Sequence, residues 1–416
     1  MKKRVLISIA LLMSLCLMVG CFSYKDMNRL LFYTMGVMDK KDGEFYLYGE
    51  AFKAYRGEGE KAGREKRIVL FGKGDSFIEA VKGIRNGVNL PLEYAGAKAY
   101  VMTKDIARDG IKDYLDCFDR DQKVSLRMYL IVLDGDAAEF IKREETDEKF
   151  MGLYLYEMMN TQNKSLHTIT CHVYDFLLDM NIGSGVNILP IIKLVTVEEQ
   201  AGLDQSSQES SEDQGQQQSQ DSGQKSSKGS KKSDSSKEQD SGDPIFEPYV
   251  IIDGAAIFLD DKMVAELTQE ELDIYHLLFR KASTGVIVAS NPQVPDKTIG
   301  LVLLNNKYSY RVVQEGDLFK YKIKVTLRVA LEEAQDYLNP DDEVIRLMEE
   351  SVEKKISLSA QKMFTRMQQE NVDLFNIKRQ LDMAKIQHGE DYLQKTVFEI
   401  EPNVIMDSIG TLKAGY

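Results

Sequence analysis

The chain has 416 residues, of which 43% are hydrophobic, enough to form more than one folded domain. Its formal net charge of −13 at pH 7 argues against nucleic acid as a partner, because phosphate binding needs clustered cationic side chains. Four cysteines are too few for a disulfide-stapled scaffold.

The N-terminus has the pattern of an export signal, residues 1–20. A basic start precedes an apolar run from Val5 to Val19, which is shorter than the roughly 20 residues that a membrane-spanning helix needs. Residues 18–21 resemble the lipobox of bacterial lipoproteins, in which the chain is cut between Gly20 and Cys21. The resemblance implies a diacylglyceryl group on the Cys21 thiol, and two acyl chains suffice for stable anchoring. A plain signal peptide with an incidental cysteine is the alternative.

The charge of the processed chain bears on how it would be held at a membrane. Cleavage before Cys21 removes three cations and leaves a net charge of −16. An acidic chain is repelled by an anionic bilayer, so we expect the lipid, and not a basic patch, to hold it there. Apart from this covalent lipid, we predict no cofactor.

Two regions are expected before the middle of the chain: an N-terminal α+β domain at 21–145 and a second small α/β region at 146–200. Alternating apolar residues and turn signals predict strands, and capping patterns with apolar faces predict helices. The predicted strands are Phe45–Phe52, Ala97–Met102, Arg127–Leu133 and Leu189–Ile192, and the predicted helices are Ser76–Gly87, Ile106–Phe118, Phe150–Asn160 and Val173–Met180.

The sharpest change of composition lies in the middle of the chain. Residues 204–243 contain no aliphatic, aromatic, Met or Cys residue. Such a segment cannot bury enough surface to offset the entropy of ordering. We therefore expect a disordered Ser/Gln-rich linker at 201–244, acting as a spacer, with a docking tail as the alternative.

A C-terminal α+β domain is expected at 245–416. Tyr249–Leu259 reads as a strand with a bulge or close approach at Gly254, and a capping box opens a helix at Thr268. Tyr321–Val329 alternates strictly, which predicts a sheet with one dry face. A long helix follows, capped by Asn339, with an apolar stripe: Val344, Met348, Val352, Ile356, Met363 and Met367.

The predicted fold class is thus α+β and multidomain, with mixed or antiparallel sheets packed with helices. One long C-terminal helix is expected to lie on an antiparallel sheet.

Signals for catalysis or metal binding are weak. His167 and His172 flank Cys171, but a zinc site needs three or four convergent ligands, so ordinary strand residues are the favoured interpretation. His276 is interpreted as a hydrogen-bonded, half-buried residue. Residues 72–75 resemble half of a phosphate loop but lack the rest of that motif, and they are interpreted as a turn. We predict no catalytic residues, no metal ligands and no enzyme activity.

Two cysteines remain once the signal is removed and Cys21 is lipidated. Cys117 and Cys171 can form one structural disulfide or remain as two buried free thiols, and we favour the thiols.

Several segments in order resemble the Ger(x)C family, the lipoprotein C subunits of nutrient germinant receptors of spore-forming bacteria. The similar segments are Met35–Asp39, Gly74–Val81, Ala107–Ile111, Phe118–Asp121, Leu189–Pro190, Asp253–Phe258, Met263–Leu267, Val372–Phe375 and the final strand from Thr396 to Leu412.

The resemblance implies a non-enzymatic scaffold or gating subunit, needed for spore germination and lipid-anchored on the outer face of the spore's inner membrane. It implies the A and B membrane subunits of the receptor as partners. An envelope solute-binding lipoprotein that captures a small nutrient is the alternative. An envelope hydrolase has the least support.

Overall fold

The structure is a computed structural model that describes residues 29–53, 66–143, 149–182, 185–195 and 248–409. The predicted signal, its cleavage point and Cys21 lie outside these residues, as do the predicted linker at 201–244 and Leu412.

Within the described ranges, nine strands form the first sheet, in the order β3-β2-β1-β5-β6-β7-β8-β9, with β4 also paired to β1. β1, β5, β6 and β7 run parallel, and the flanking strands pair antiparallel. The strands are β1 Leu31–Lys41, β2 Glu44–Lys53, β3 Arg67–Gly74, β4 Leu92–Glu93, β5 Ala99–Thr103, β6 Tyr129–Leu133, β7 Val186–Val195, β8 Tyr249–Leu259 and β9 Lys262–Leu267.

Helices cover both faces of this sheet, so β5 and β6 are buried along their whole length. One core lies under α1, α2, α3 and α6, and the opposite core lies under α4 and α5. The helices are α1 Phe77–Asn86, α2 Lys104–Asp109, α3 Lys112–Arg120, α4 Ala137–Lys142, α5 Met151–Gln162 and α6 Val173–Ile182.

The second sheet has the order β10-β11-β12-β13. β12 and β13 pair in parallel, because the chain crosses over through α8 between them, and the other pairs are antiparallel. The predicted stripe on α8 is buried, so this prediction is confirmed. The elements are α7 Gln269–Phe279, β10 Val286–Ser290, β11 Thr298–Glu315, β12 Leu318–Ala334, α8 Asp342–Gln369, α9 Ile377–Met383 and β13 Thr396–Ser408.

The predicted fold class is confirmed: two mixed sheets pack with helices, and one long helix lies on the second sheet. Two local predictions need correction. The helix expected over 106–118 is two helices, α2 and α3, because Gly110 takes φ +119 between them. The cap of α8 is Asp341 and not Asn339, since the Asp341 carboxylate accepts from the backbone nitrogen of Val344 at 2.9 Å.

The strands on either side of the predicted linker are neighbours in one sheet. Val195 at the end of β7 pairs with Tyr249 at the start of β8. The two ends of the described chain on either side of the predicted linker are therefore adjacent in one sheet. The disordered linker and its role as a spacer stay predictions. β8 and β9 complete the first sheet, and the division of the chain into domains stays a prediction.

The bulge predicted at Gly254 is confirmed. Pro190 pairs with Ala255 while Ile192 pairs with Ile252, so β8 has one residue more than β7 at this point. Gly254 takes φ +76, and a Cβ there would lie 2.2 Å from the carbonyl oxygen of Leu267. A glycine is required by both the backbone conformation and the close approach.

Candidate functional site

The two histidines that flank Cys171 do not converge on a metal site. His167 and His172 both lie between α5 and α6, outside the named strands, so their interpretation as ordinary strand residues is wrong. The Nδ1 atom of His167 lies 2.9 Å from Asp273, and that of His172 lies 3.0 Å from Asp175. Burial raises the pKa of the Cys171 thiol, which keeps it protonated. No three His, Cys, Asp or Glu side chains of the described chain are grouped to hold a metal ion.

His276 is more deeply buried than the sequence suggested, with 5% of its surface exposed. Its Nδ1 lies 3.1 Å from the carbonyl oxygen of Ser165, so this nitrogen carries the proton. Its Nε2 has no hydrogen-bond partner among the described residues. Burial, helped by the charge of Arg280 and opposed by the hydrogen bond to Ser165, lowers the pKa of His276 to about 4. His276 is therefore a neutral, buried imidazole held by one hydrogen bond, and we interpret it as a structural residue.

The glycine-rich stretch at 72–75 belongs to the packing of α1 on the first sheet. A Cβ at Gly72 would lie 1.9 Å from the carbonyl oxygen of Ala80, so only glycine lets the helix approach the strand this closely. The Nζ atom of Lys73 lies 2.6 Å from Glu44. Residues 72–74 are the last three residues of β3 and pair with β2, so the interpretation of this stretch as a turn is wrong.

The segment 107–111, part of the family resemblance, lies against the turn between β8 and β9. The backbone nitrogen of Ile111 donates to the carbonyl oxygen of Asp261 at 2.9 Å. Lys104 and Arg108 on α2 both reach the carboxylate of Glu266 on β9, at 2.8 and 3.1 Å. This signature therefore joins the N-terminal part of the chain to the hairpin that follows the linker.

Sequence reasoning missed a cavity of about 210 Å³ between α1, α3 and the first sheet. The ring of Tyr100 meets Phe118 edge-on with centroids 4.7 Å apart, and Tyr33 lies 5.1 Å from Tyr94. The wall is mainly apolar: Leu47, Phe77, Val81, Ile84, Ala97, Val124 and Met128. No sequence motif marks this cavity, because its residues come from separate elements.

The polar groups of this cavity are poorly suited to catalysis. Burial raises the pKa of the Tyr33 and Tyr100 hydroxyls and of the Cys117 thiol, so none of the three is a nucleophile at neutral pH. Arg85 and Asp121 supply one cation and one anion to the lining. An apolar cavity with few polar groups is suited to binding a small molecule and not to acid–base chemistry.

The two cysteines of the described chain, Cys117 and Cys171, are both free thiols, as favoured from the sequence. Cys171 is buried and Cys117 is half-buried.

A second concavity, of about 610 Å³, lies beside α7 and α9. Arg280 and Arg379 line it together with aromatic rings, among them Tyr308 and Tyr310. Burial raises the pKa of Asp179 on α6, while the two arginines act in the opposite direction. Guanidinium groups beside aromatic rings suit an anionic group of a partner.

Two family profiles match the chain in succession. Residues 23–194 match the spore germination protein N-terminal domain, and residues 253–410 match the spore germination B3/GerAC-like C-terminal domain. The chain belongs to the Ger(x)C spore germination family. The resemblance seen in the sequence is thereby confirmed.

Two proteins similar to this Ger(x)C protein share little sequence identity with it. A protein of Bacillus subtilis (strain 168) named as a putative spore germination protein, YfkR, is 22% identical over 164 residues, which are 38% of this chain. The match spans 43% of YfkR, less than half of its length. The crystal structure of the GerBC protein aligns with a TM-score of 0.47 at 13% identity, covering 89% of this chain and 96% of that one.

No helix in the described part of this Ger(x)C protein is both long and apolar enough to cross a bilayer.

Proposed function

We propose that this chain is the lipid-anchored C subunit of a nutrient germinant receptor, on the outer face of the spore's inner membrane. Its role there is a non-enzymatic scaffold or gate that works with the A and B membrane subunits. The observation that supports this is the pair of germination-family matches. The first begins at residue 23, directly after the predicted lipid attachment site at Cys21.

The anchor gives the role a physical basis. Two acyl chains hold a protein stably at a bilayer, whereas one chain binds reversibly. Tethering to the membrane that contains the partner subunits raises their effective concentration without any new contact. A scaffold with modest interfaces can then remain assembled with its partners.

The test is the substitution Cys21→Ala in the spore former that carries the chain. The variant should leave the membrane fraction, and nutrient-triggered germination should be impaired, because the acyl group has no thiol to attach to. Cys16→Ala is the matched control, since Cys16 lies in the same predicted signal but follows a bulky leucine. Normal germination with the Cys21 variant in the aqueous fraction contradicts the proposal.

The cavity beneath α1 and α3 favours a second candidate, the capture of a small nutrient. This cavity lies between two helices and one sheet. A solute-binding lipoprotein would instead need a cleft between two hinged lobes, so the candidate here is a small-molecule site of a different kind. A ligand at 100 times its Kd would stabilise the protein by about 2.7 kcal/mol. Nutrients that raise the Tm of the wild type should fail to do so in Ala97→Leu, which narrows the cavity. Equal shifts in both proteins, or none in either, count against this candidate.

A further inference from the structure

The outer edge of the first sheet carries an exposed aromatic patch, defined as Tyr46, Tyr48, Val69 and Phe71. Phe71 is 51% and Val69 46% exposed, and Tyr46 and Tyr48 are half-buried. The ring of Phe71 lies 5.3 Å from that of Tyr48 and 6.2 Å from that of Tyr46. These side chains form one continuous surface on β2 and on the edge strand β3.

This patch breaks the usual pattern of an edge strand. The opposite face of β3 is covered by α1, so tightly that a Cβ at Gly72 would overlap the helix. A strand with one covered face normally presents polar side chains on the other. Here the outward residues at 69 and 71 are Val and Phe, and contiguous apolar surface on a folded protein marks an interaction site.

The chemistry of the patch fits the surface of a lipid bilayer. Tyrosine is enriched where a membrane meets water, because its ring is apolar and its hydroxyl is polar. The Nζ atom of Lys73 lies 5.1 Å from the centre of the Tyr46 ring and 2.6 Å from the Glu44 carboxylate, so an ion pair borders the aromatic surface. Phenylalanine and valine can enter the acyl boundary while the tyrosine hydroxyls and the ammonium group stay in water.

The length of the chain before β1 places the patch within reach of the predicted anchor. Nine residues lie between Cys21 and Leu31, so the ten steps from one Cα atom to the other span at most about 36 Å. Val69 pairs with Glu50, which pairs with Met35 on β1. Val69, where the patch begins, is therefore two strands away from β1, which is about 10 Å across the sheet. It is level with Met35, four residues or about 13 Å along β1 from Leu31. A bilayer holding Cys21 can contact it directly.

We propose that the aromatic patch lies in the interfacial layer of the bilayer that holds the Cys21 acyl chains. The proposal rests on the lipid anchor of the proposed function. The anchor and the patch together fix which side of the protein faces the membrane and leave the rest of the body turned toward partner subunits.

The experiment uses the absence of tryptophan from the chain. Phe71→Trp places a single fluorophore in the patch, and Val69→Trp is a second probe of it. Val264→Trp is the matched control, because Val264 is 47% exposed on β9, the opposite edge strand of the same sheet. Each full-length acylated protein is reconstituted into phosphatidylcholine vesicles with and without brominated acyl chains, after circular dichroism has shown a native fold.

The expected result is loss of emission from both patch probes in brominated vesicles and protection of both from aqueous iodide, with neither effect at the control. Vesicle-bound protein whose patch probes remain quenched by iodide and untouched by bromine overturns the proposal. Protection from iodide without quenching by bromine also overturns it, because a protein surface then covers the patch. Failure to float with vesicles at all shows instead that the anchor is absent, and the proposed function falls with it.

Discussion

The carboxylate of Glu50 lies 2.6 Å from the Nε atom of Arg67, and both side chains are buried, with exposed fractions of 0% and 4%. The same carboxylate accepts from the backbone nitrogens of Met151 and Gly152 at the start of α5, and from the Thr34 hydroxyl. One buried charge thus ties β1, β2, β3 and α5 together, and each of its oxygens has partners.

Removing the cation of this pair should be costly. Arg67→Ala leaves Glu50 as a buried charge without its partner, and we expect a loss of about 3–5 kcal/mol in the free energy of unfolding. Urea denaturation measures it. Lys73→Ala is the control, because the pair between Lys73 and Glu44 is exposed to solvent and should contribute little to stability. Similar losses in the two variants would contradict the buried pair as the stabilising contact.

Helix α8 shields both edges of the second sheet. Glu349 and Glu353 accept from the backbone nitrogens of Met406 and Val404 on β13, at 2.8 and 2.9 Å. Lys355 donates to the carbonyl oxygen of Val288 on β10 at 2.8 Å. Exposed edge groups are templates for pairing with another chain, so we expect these side chains to protect the sheet from self-association.

The double change Glu349→Ala with Glu353→Ala should therefore expose the β13 edge. We expect a loss of about 1–3 kcal/mol per unpaired backbone group, to the extent that each is buried, and concentration-dependent oligomers. Denaturation and analytical ultracentrifugation check the two effects. Glu350→Ala removes an exposed carboxylate of the same helix, which pairs with Arg346, and it should sediment like the wild type.

His276 should make the stability depend on pH. Burial lowers its folded pKa to about 4, against 6.5 when unfolded. The unfolded chain therefore binds the proton more tightly, so the contribution is complete above pH 6.5 and is lost as the pH falls toward 4. At most about 3 kcal/mol is involved. In His276→Asn, which does not titrate, the stability difference from the wild type should change across this range; a constant difference contradicts the assignment.

Gly254 should tolerate no side chain. Gly254→Ala combines a left-handed backbone with overlap onto the carbonyl oxygen of Leu267, and we expect a loss above about 3 kcal/mol. Gly316→Ala is the control: its φ of +63 is also left-handed, but nothing lies within 4 Å of the new Cβ. Backbone strain alone should lower the free energy of unfolding of Gly316→Ala by about 1–2 kcal/mol. Thermal unfolding separates the two, and equal losses would mean that the overlap relaxes.

Local features of the fold could be predicted because neighbouring residues determine them. The Ser76 hydroxyl accepts from the Glu79 nitrogen at 3.3 Å, and the complete capping box at Thr268 is present. The α8 stripe depends only on helical spacing. The break at Gly110 could not be predicted in the same way, because its φ of +119 accompanies a close approach to the distant Asp261, whose carboxylate would lie 2.7 Å from a Cβ at this position.

The candidate cavity could not be predicted, because it is created by strand order. Tyr33 on β1 and Tyr100 on β5 become neighbours through a parallel pairing, while Phe118 arrives from α3. In the sequence, each of these aromatic residues by itself predicts only an ordinary hydrophobic core position. The pairing of β7 with β8 could not be predicted either, because a long polar segment between two strands does not indicate that the strands are adjacent in a sheet.

The pairing of Val195 with Tyr249 also means that the two family segments are not self-sufficient pieces. In a fragment that stops at residue 194, the backbone groups of β7 that pair with β8 would be left unpaired at a sheet edge. A fragment that starts at residue 253 would lack the first residues of β8. Cutting the chain between them, while keeping both strands whole, should instead yield halves that recombine into a native particle. The connecting segment is then a natural position for a genetically inserted tag or reporter, because its two ends already sit side by side.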